Sequence, residues 1–65
     1  MNKRGTVGVF GGWQMTWNLK ADPQEIRVYY HGVCQYVISG TITEDFLREQ
    51  IQQFMARYAQ MEMSL

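Results

Sequence analysis

Seven consecutive residues, Trp13–Leu19, alternate without a break between large apolar and polar side chains. Successive side chains of a β-strand point to opposite faces of the sheet, so this alternation predicts a strand with one apolar face. We expect its two tryptophans to lie in the core of the protein. The alternative is that at least one of them anchors an interface with a partner. The apolar face carries Trp13, Met15, Trp17 and Leu19.

A chain of 65 residues has room for one small core, which predicts a single ββββα domain over residues 1–65. Domains of this size usually gain stability from disulfides, a metal or oligomerisation. Because Cys34 is the only cysteine and His31 the only histidine, the chain can form neither an internal disulfide nor a closed zinc site. We expect no cofactor, and a dense aromatic core or oligomerisation remains as the source of stability.

Six basic residues balance six acidic ones, and this neutrality argues against strong non-specific attraction to nucleic acid or to an anionic membrane. The basic pair Lys3-Arg4 is not followed by the apolar stretch of a signal peptide, and no apolar run is long enough to span a bilayer. We therefore expect a cytoplasmic protein without membrane contact, whose single thiol stays reduced.

Glycine and proline divide the first part of the chain into strands. Val7 and Val9 indicate a first strand that glycines weaken, at an edge of the sheet. Gly11-Gly12 predicts a two-residue hairpin turn, and Asp22-Pro23 predicts the turn after the second strand.

The run from Glu25 to Ser39 is too long for one flat strand and predicts a hairpin with the three-residue loop 30–32, in which Gly32 is left-handed. In this register Tyr29 lies opposite Val33. One face then carries Ile26, Val28, Cys34, Tyr36 and Ile38, and the other carries Glu25, Arg27, Tyr29, Val33, Gln35 and Val37.

The last third of the chain predicts a helix from about Glu44 to Gln60. Thr43 is a favourable N-cap, and Ile42 before it can pack on Leu47 as a hydrophobic staple. Apolar residues recur at helical spacing, namely Leu47, Ile51, Phe54, Met55, Tyr58 and Met61. The predicted fold class is therefore α+β: a small antiparallel β-meander of three to four strands, with one C-terminal α-helix packed across one face.

Two patterns in the sequence are similar to ligand-binding or catalytic motifs, but a structural role explains each of them better. The glycines of residues 5–12 lack the Lys-Ser/Thr of a phosphate-binding loop. The predicted hairpin places His31 at a loop tip and turns Cys34 inward, so the two side chains diverge and no third group orients them. We therefore expect no enzyme activity.

One helix covers one face of a sheet, so the predicted register leaves Tyr29, Val33 and Val37, with Phe10, on the uncovered face. This patch predicts a protein partner or a two-fold homodimer. A second candidate interface is a line of apolar residues along the helix, suited to helix–helix packing, which we call the helix seam. It includes Tyr58, and its other members are Ile51, Phe54, Met61 and Leu65. The leading hypothesis is a small non-enzymatic binding protein, an inhibitor or modulator of another protein in the style of phage and plasmid accessory proteins.

The alternative is a nucleic-acid-binding module. A three-stranded sheet followed by a helix resembles, in the order of its elements, the arm-type DNA-binding domains of tyrosine recombinases. That resemblance implies that strands of this sheet would lie in the major groove of DNA. The contacts would come from Lys3, Arg4, Lys20 and Arg27, and from aromatic residues such as Tyr29.

Overall fold

A four-stranded antiparallel sheet followed by one helix confirms the predicted α+β fold. The computed structural model describes residues 2–8 and 10–63, with side chains for 2–8 and 11–58. Val9 lies outside the described residues. The strands follow one another in the sheet, so β1 and β4 form its two edges. The elements are β1 (Arg4–Gly8), β2 (Trp13–Asn18), β3 (Gln24–Tyr30), β4 (Val33–Gly40) and α1 (Glu44–Met63).

The start of α1 follows the prediction. The hydroxyl oxygen of Thr43 accepts a hydrogen bond of 3.1 Å from the backbone N–H of Phe46, as an N-cap does. Ile42 and Leu47 are both buried in the same cluster, as the hydrophobic staple requires. The helix continues past the predicted end near Gln60 and ends at Met63.

The core lies between α1 and the sheet face that carries the tryptophans. Trp13 and Trp17 are half-buried and pack against this core, in agreement with the core interpretation of both. Met55 was expected to be buried, but its side chain is 45% exposed because it lies on the flank of the helix. The buried residues are Met15, Leu19, Ile26, Val28, Ile42, Leu47, Phe54 and Tyr58.

The loop between β3 and β4 is shorter than predicted. Tyr30 pairs with Val33, so the loop contains two residues, His31 and Gly32, and the predicted three-residue loop is wrong. Both loop residues have positive φ, 49° and 82°, which is the geometry of a type I′ turn. The expected left-handed conformation of Gly32 is confirmed, and histidine is one of the side chains that tolerates such a backbone.

A β-bulge in β4 changes the register of this hairpin. Val28 pairs with Tyr36 while Tyr29 pairs with Cys34, so Gln35 is an extra residue on β4. The predicted pairing of Tyr29 with Val33 is therefore wrong. Because one extra residue exchanges the two faces of a strand, the bulge places Cys34 on the face of Tyr29.

The turn between β1 and β2 contains the two glycines that the sequence singled out. Residues Phe10–Gly12 form a short 3₁₀ turn, rather than the simple two-residue hairpin turn that was predicted. Gly11 and Gly12 both have positive φ, 70° and 86°. The backbone N–H of His31 donates to the carbonyl of Gly12 at 2.9 Å, so the two hairpin turns are in contact.

Gly12 and Gly32 form a matched pair for mutation, because both have positive φ and only one of them is crowded. A Cβ at Gly12 would fall on the imidazole ring of His31, whereas a Cβ at Gly32 would have no heavy atom within 4 Å. We expect Gly32→Ala to cost about 1–2 kcal/mol of unfolding free energy from backbone strain alone. Gly12→Ala should cost more, as measured by urea unfolding.

His31→Ala supplies the control for this comparison. It removes the ring that crowds Gly12, so the double variant Gly12→Ala/His31→Ala should be less destabilised than the sum of the two single variants. Equal losses from Gly12→Ala and Gly32→Ala, with strict additivity in the double variant, would contradict the close contact between the His31 ring and Gly12.

Candidate interaction surfaces

The predicted patch of Tyr29, Val33 and Val37 is divided between the two faces of the sheet. Tyr29 and Val37 lie on the face opposite α1, which we call the open face. Val33 pairs with Tyr30 and therefore lies on the face that α1 packs against. The prediction of one contiguous patch is thus wrong, and the bulge in β4 is the reason.

The predicted helix seam is also altered. Tyr58 is 7% exposed, and its ring stacks on that of Trp13 with centroids 4.0 Å apart, so Tyr58 belongs to the core rather than to a free surface. Two members of the seam, Met61 and Leu65, lie outside the residues whose side chains are described, as does the side chain of Phe10.

The open face is mainly polar. Arg27 donates to both carboxylate oxygens of Glu25, each at 3.1 Å, so most of its charge is matched within β3. The pKa of Arg27 lies above its ordinary value, chiefly because of the hydrogen bond to Glu25, and Tyr29 adds to this effect. Other members of the open face are Arg4, Thr6, Gln14, Thr16, Asn18, Cys34, Val37 and Ser39.

The structure brings three of the predicted nucleic-acid contacts together at one end of the sheet. The backbone N–H of Leu19 donates to the carbonyl of Lys3 at 2.6 Å, and Lys20 follows Leu19. Arg4 pairs with Asn18 on the neighbouring strand. The fourth predicted contact, in the middle of the open face, is the arginine already paired with Glu25.

The outer edge of β4 is the most exposed part of the sheet. Seven of the eight residues of β4 are exposed, and the strand contains no charged residue and no proline. Edge strands in natural proteins are usually protected by charge, proline, shortness or a bulge. The opposite edge, β1, has five residues and includes Arg4. In β4 only the bulge near its start interrupts the strand, so Tyr36–Gly40 is an unprotected edge.

Beside this edge lies a groove between β4 and α1. Tyr36 lines it together with Gln50, Gln53 and Arg57. Phe46 continues the same stripe of the helix, one turn before Gln50. We call the surface formed by Val33, Tyr36, Phe46, Gln50, Gln53 and Arg57 the β4–α1 flank.

The β4–α1 flank is only partly covered, because α1 lies closest to β2 and to the turn before it. Tyr36 is 42% exposed and Phe46 is 37% exposed, so two aromatic rings are accessible on one side of the helix. Burial of part of Tyr36 raises the pKa of its phenol, and Tyr58 adds to this effect. The phenol is therefore neutral at physiological pH and can donate a hydrogen bond.

Cys34 and His31 are not arranged as predicted. Cys34 was expected to point inward, but it is exposed, and its thiol donates to the carbonyl of Tyr36 at 3.7 Å. His31 lies at the loop tip as expected, and its ring meets that of Tyr30 edge-on with centroids 4.3 Å apart. The bulge explains the change for Cys34, since it exchanges the faces at this position.

Reasoning from the sequence missed the β4 edge and Phe46. The absence of charge from Val33–Gly40 was visible, and in a meander the last strand is an edge, so the edge could have been recognised. Phe46 sits in the first turn of α1, outside the periodic apolar set, and its exposure depends on how the helix lies on the sheet.

In the described part of the chain, no group of three or more histidine, cysteine, aspartate or glutamate side chains could hold a metal ion. The helix, as far as it is described, is not apolar enough to cross a membrane. Comparisons with models of protein families, with curated proteins and with solved structures find no match for this chain.

Proposed function

We propose that the protein is a non-enzymatic binding protein that docks another protein along β4. The observation that carries this proposal is the exposed, uncharged edge of β4. A strand added to a sheet edge gains affinity from backbone hydrogen bonds and specificity from pockets for alternate side chains. Among the described residues β4 pairs with β3 alone, so its other side is open to such a strand.

The β4–α1 flank supplies the specific contacts. Tyr36 and Phe46 are exposed aromatic side chains, the type that most often dominates binding energy. Gln50 and Gln53 place amide donors and acceptors between them and extend the surface onto the helix. A partner strand on β4 would cover these side chains together with the edge.

We infer that the protein acts by occupying a surface of its partner, so the proposed action is inhibition or modulation, as in accessory proteins of phages and plasmids. The exposed thiol of Cys34 suits a reducing compartment, which supports the proposal of a cytoplasmic location. The expected homodimer stays a proposal, and it would use the same edge of β4, which includes Val33 and Val37 of the predicted patch.

Capture from a cell extract tests the proposal with a matched pair of variants. Val37 lies on β4 and is 46% exposed, and Met55 lies on the far flank of α1 and is 45% exposed. A lysine on an edge strand opposes the addition of another strand. We expect immobilised wild type and Met55→Lys to retain the same protein, and Val37→Lys to retain at least about tenfold less, a loss of roughly 1.4 kcal/mol.

Circular dichroism spectra of all three proteins exclude misfolding as the cause of any loss. Equal retention by Val37→Lys and Met55→Lys would show that β4 is not the docking element. A wild-type protein that retains nothing above an empty matrix would contradict the proposed binding function itself.

A nucleic-acid-binding function is the second candidate, and the clustering of Lys3, Arg4 and Lys20 favours it. The sheet and its loops contain four basic and two acidic residues, whereas α1 contains two basic and four acidic ones. The positive side of the molecule is therefore the sheet, although the chain as a whole is neutral.

Arg4→Ala tests this candidate against Arg48→Ala, which removes an exposed arginine from the helix. If the sheet binds a labelled DNA duplex, Arg4→Ala should weaken binding and reduce the slope of log K against log salt by about 1. Arg48→Ala should leave both unchanged. The absence of a mobility shift even at low salt would remove this candidate.

A further inference from the structure

A small pocket opens beside the edge of β4, between that strand and α1. Its volume is about 100 Å³, which is room for about three water molecules. Sites for small-molecule ligands measure about 300–1,000 Å³, so this pocket has instead the size of the end of one side chain. It is lined by Tyr36, Gln50, Gln53, Phe54, Arg57 and Tyr58.

The pocket combines an aromatic floor with a cationic rim. Phe54 and Tyr58 are buried, and their rings meet edge-on with centroids 5.0 Å apart. Arg57 is exposed, and its guanidinium carbon lies 6.0 Å from the centre of the Tyr58 ring, within reach of a cation–π contact. Burial raises the pKa of the Tyr36 phenol, and the charge of Arg57 opposes that rise. The guanidinium therefore lies close to the rings that line the pocket.

Arg57 has no acidic partner in the part of the chain whose side chains are described. The other arginine of α1 differs in this respect, because Arg48 lies 3.4 Å from the carboxylate of Asp45. Glu49 accepts a hydrogen bond from Gln53, but it lies eight residues before Arg57, about 12 Å along the helix. The N–H donors of Arg57 are therefore not committed to any described carboxylate.

We propose that this pocket binds one acidic side chain, glutamate or aspartate, of the protein segment that docks along β4. A carboxylate accepts two parallel hydrogen bonds from a guanidinium, and the methylene stem of the acid packs on the rings below. An apolar or neutral side chain at this place would remove water from the charge of Arg57 without replacing it, and a basic one would be repelled. This inference rests on the proposed function, because it names the chemistry of the segment that occupies β4.

Tyr36 sets the position on the docked strand that reaches the pocket. It pairs with Val28, a buried core residue, so both side chains lie on the face that α1 packs against. On a strand added to the free edge, the residue directly opposite Tyr36 lies on the same face, with its Cβ about 4.5–5.5 Å from that of Tyr36. Its side chain therefore runs beside the ring of Tyr36, which itself lines the pocket. We expect the acid at this position or at its diagonal neighbour.

The same chemistry distinguishes a different protein from a second copy of this chain. Val33–Gly40 contains no acidic residue, so a β4 strand paired with its own copy would bring no carboxylate to the pocket. The occupant that satisfies Arg57 is therefore an extended segment of another protein, with an acidic residue at one fixed position.

Selection from a phage-displayed library of randomised nonapeptides tests the inference, because the library reports the preferred chemistry directly. It is applied to immobilised wild type, Arg57→Gln and Arg48→Gln. We expect wild type and Arg48→Gln to select strand-forming peptides with glutamate or aspartate at one fixed position. Arg57→Gln should select strand-forming peptides without that acid. Arg48→Gln is the matched control, since it removes the other exposed arginine of the same helix.

Fluorescence anisotropy of a selected peptide makes the comparison quantitative. Replacement of its acid by the corresponding amide should raise the dissociation constant for wild type at least about tenfold, and should have little effect with Arg57→Gln. Arg57→Glu should instead prefer the peptide with lysine at that position, a reversal that damage to the fold would not produce. Circular dichroism spectra check that each variant is folded.

The possible results separate this inference from the proposed function. Equal affinity for the acid and amide peptides, with binding that Val37→Lys still weakens, would overturn the acid pocket and leave docking on β4 standing. A preference for the acid that Arg57→Gln leaves intact would overturn the assignment to this pocket. Selected peptides whose binding is changed neither by Val37→Lys nor by Arg57→Gln would contradict both.

Discussion

Leu47→Asp is expected to unfold the protein. Leu47 has no exposed surface, and it lies at the fourth position of α1 in the same cluster as Ile42. Truncation of a buried leucine costs about 2–5 kcal/mol before any charge is added. A carboxylate at this position would have no partner, since the described core has no buried polar or charged residue. At about 0.05–0.15 kcal/mol per residue, a chain of this size has only a few kcal/mol of stability to lose.

Gln52→Asp is the control, because Gln52 is exposed on the opposite side of α1. It introduces the same side chain into the same helix, so it should change the unfolding free energy by less than about 0.5 kcal/mol. Circular dichroism at 222 nm and urea unfolding measure both variants. Similar losses from Leu47→Asp and Gln52→Asp would mean that α1 buries a different face.

Trp13→Ala is expected to be the next most damaging change. The ring of Trp13 stacks on Tyr58 at 4.0 Å and meets Tyr30 at 4.8 Å between centroids, so it joins the sheet to the end of the helix. Truncation of a large aromatic side chain in a core costs about 3–5 kcal/mol, and the partial exposure of Trp13 puts the expected loss at the lower end. Urea unfolding monitored by far-ultraviolet circular dichroism gives the value.

Trp13→Phe separates the stacking contact from general damage. Phenylalanine retains a ring that can stack on Tyr58, so we expect a loss of about 1–2 kcal/mol, clearly below that of Trp13→Ala. If Trp13 served mainly as an interface anchor, Trp13→Ala would leave stability almost unchanged and would alter binding alone. That result would contradict the core position of this side chain.

The candidate surface was predictable only in part. Val33 and Val37 were identified as exposed apolar residues of the fourth strand, and both are exposed. Their grouping with Tyr29 was wrong, because that grouping depended on a register without a bulge. Tyr58 was assigned both to the apolar face of the helix and to an interface, and the stack on Trp13 leaves it in the core.

The sequence by itself determined those elements whose signals are local. The alternation of Trp13–Leu19, the cap at Thr43 and the helical spacing of apolar residues each depend on contacts within a few positions of the chain. Such local contacts do not depend on how the rest of the chain folds. The second strand, the start of the helix and the choice of the tryptophan face as the core therefore followed from the residues alone.

Only the tertiary structure decided the register of the last hairpin and the exposure of β4. A two-residue turn with a bulge and a three-residue turn without one fit almost the same alternation of side chains, so the choice depends on packing across strands. Likewise, one helix can cover only part of a four-stranded sheet. Because Leu47, Phe54 and Tyr58 pack over the middle of the sheet and the turn before β2, the uncharged strand at the edge is left open.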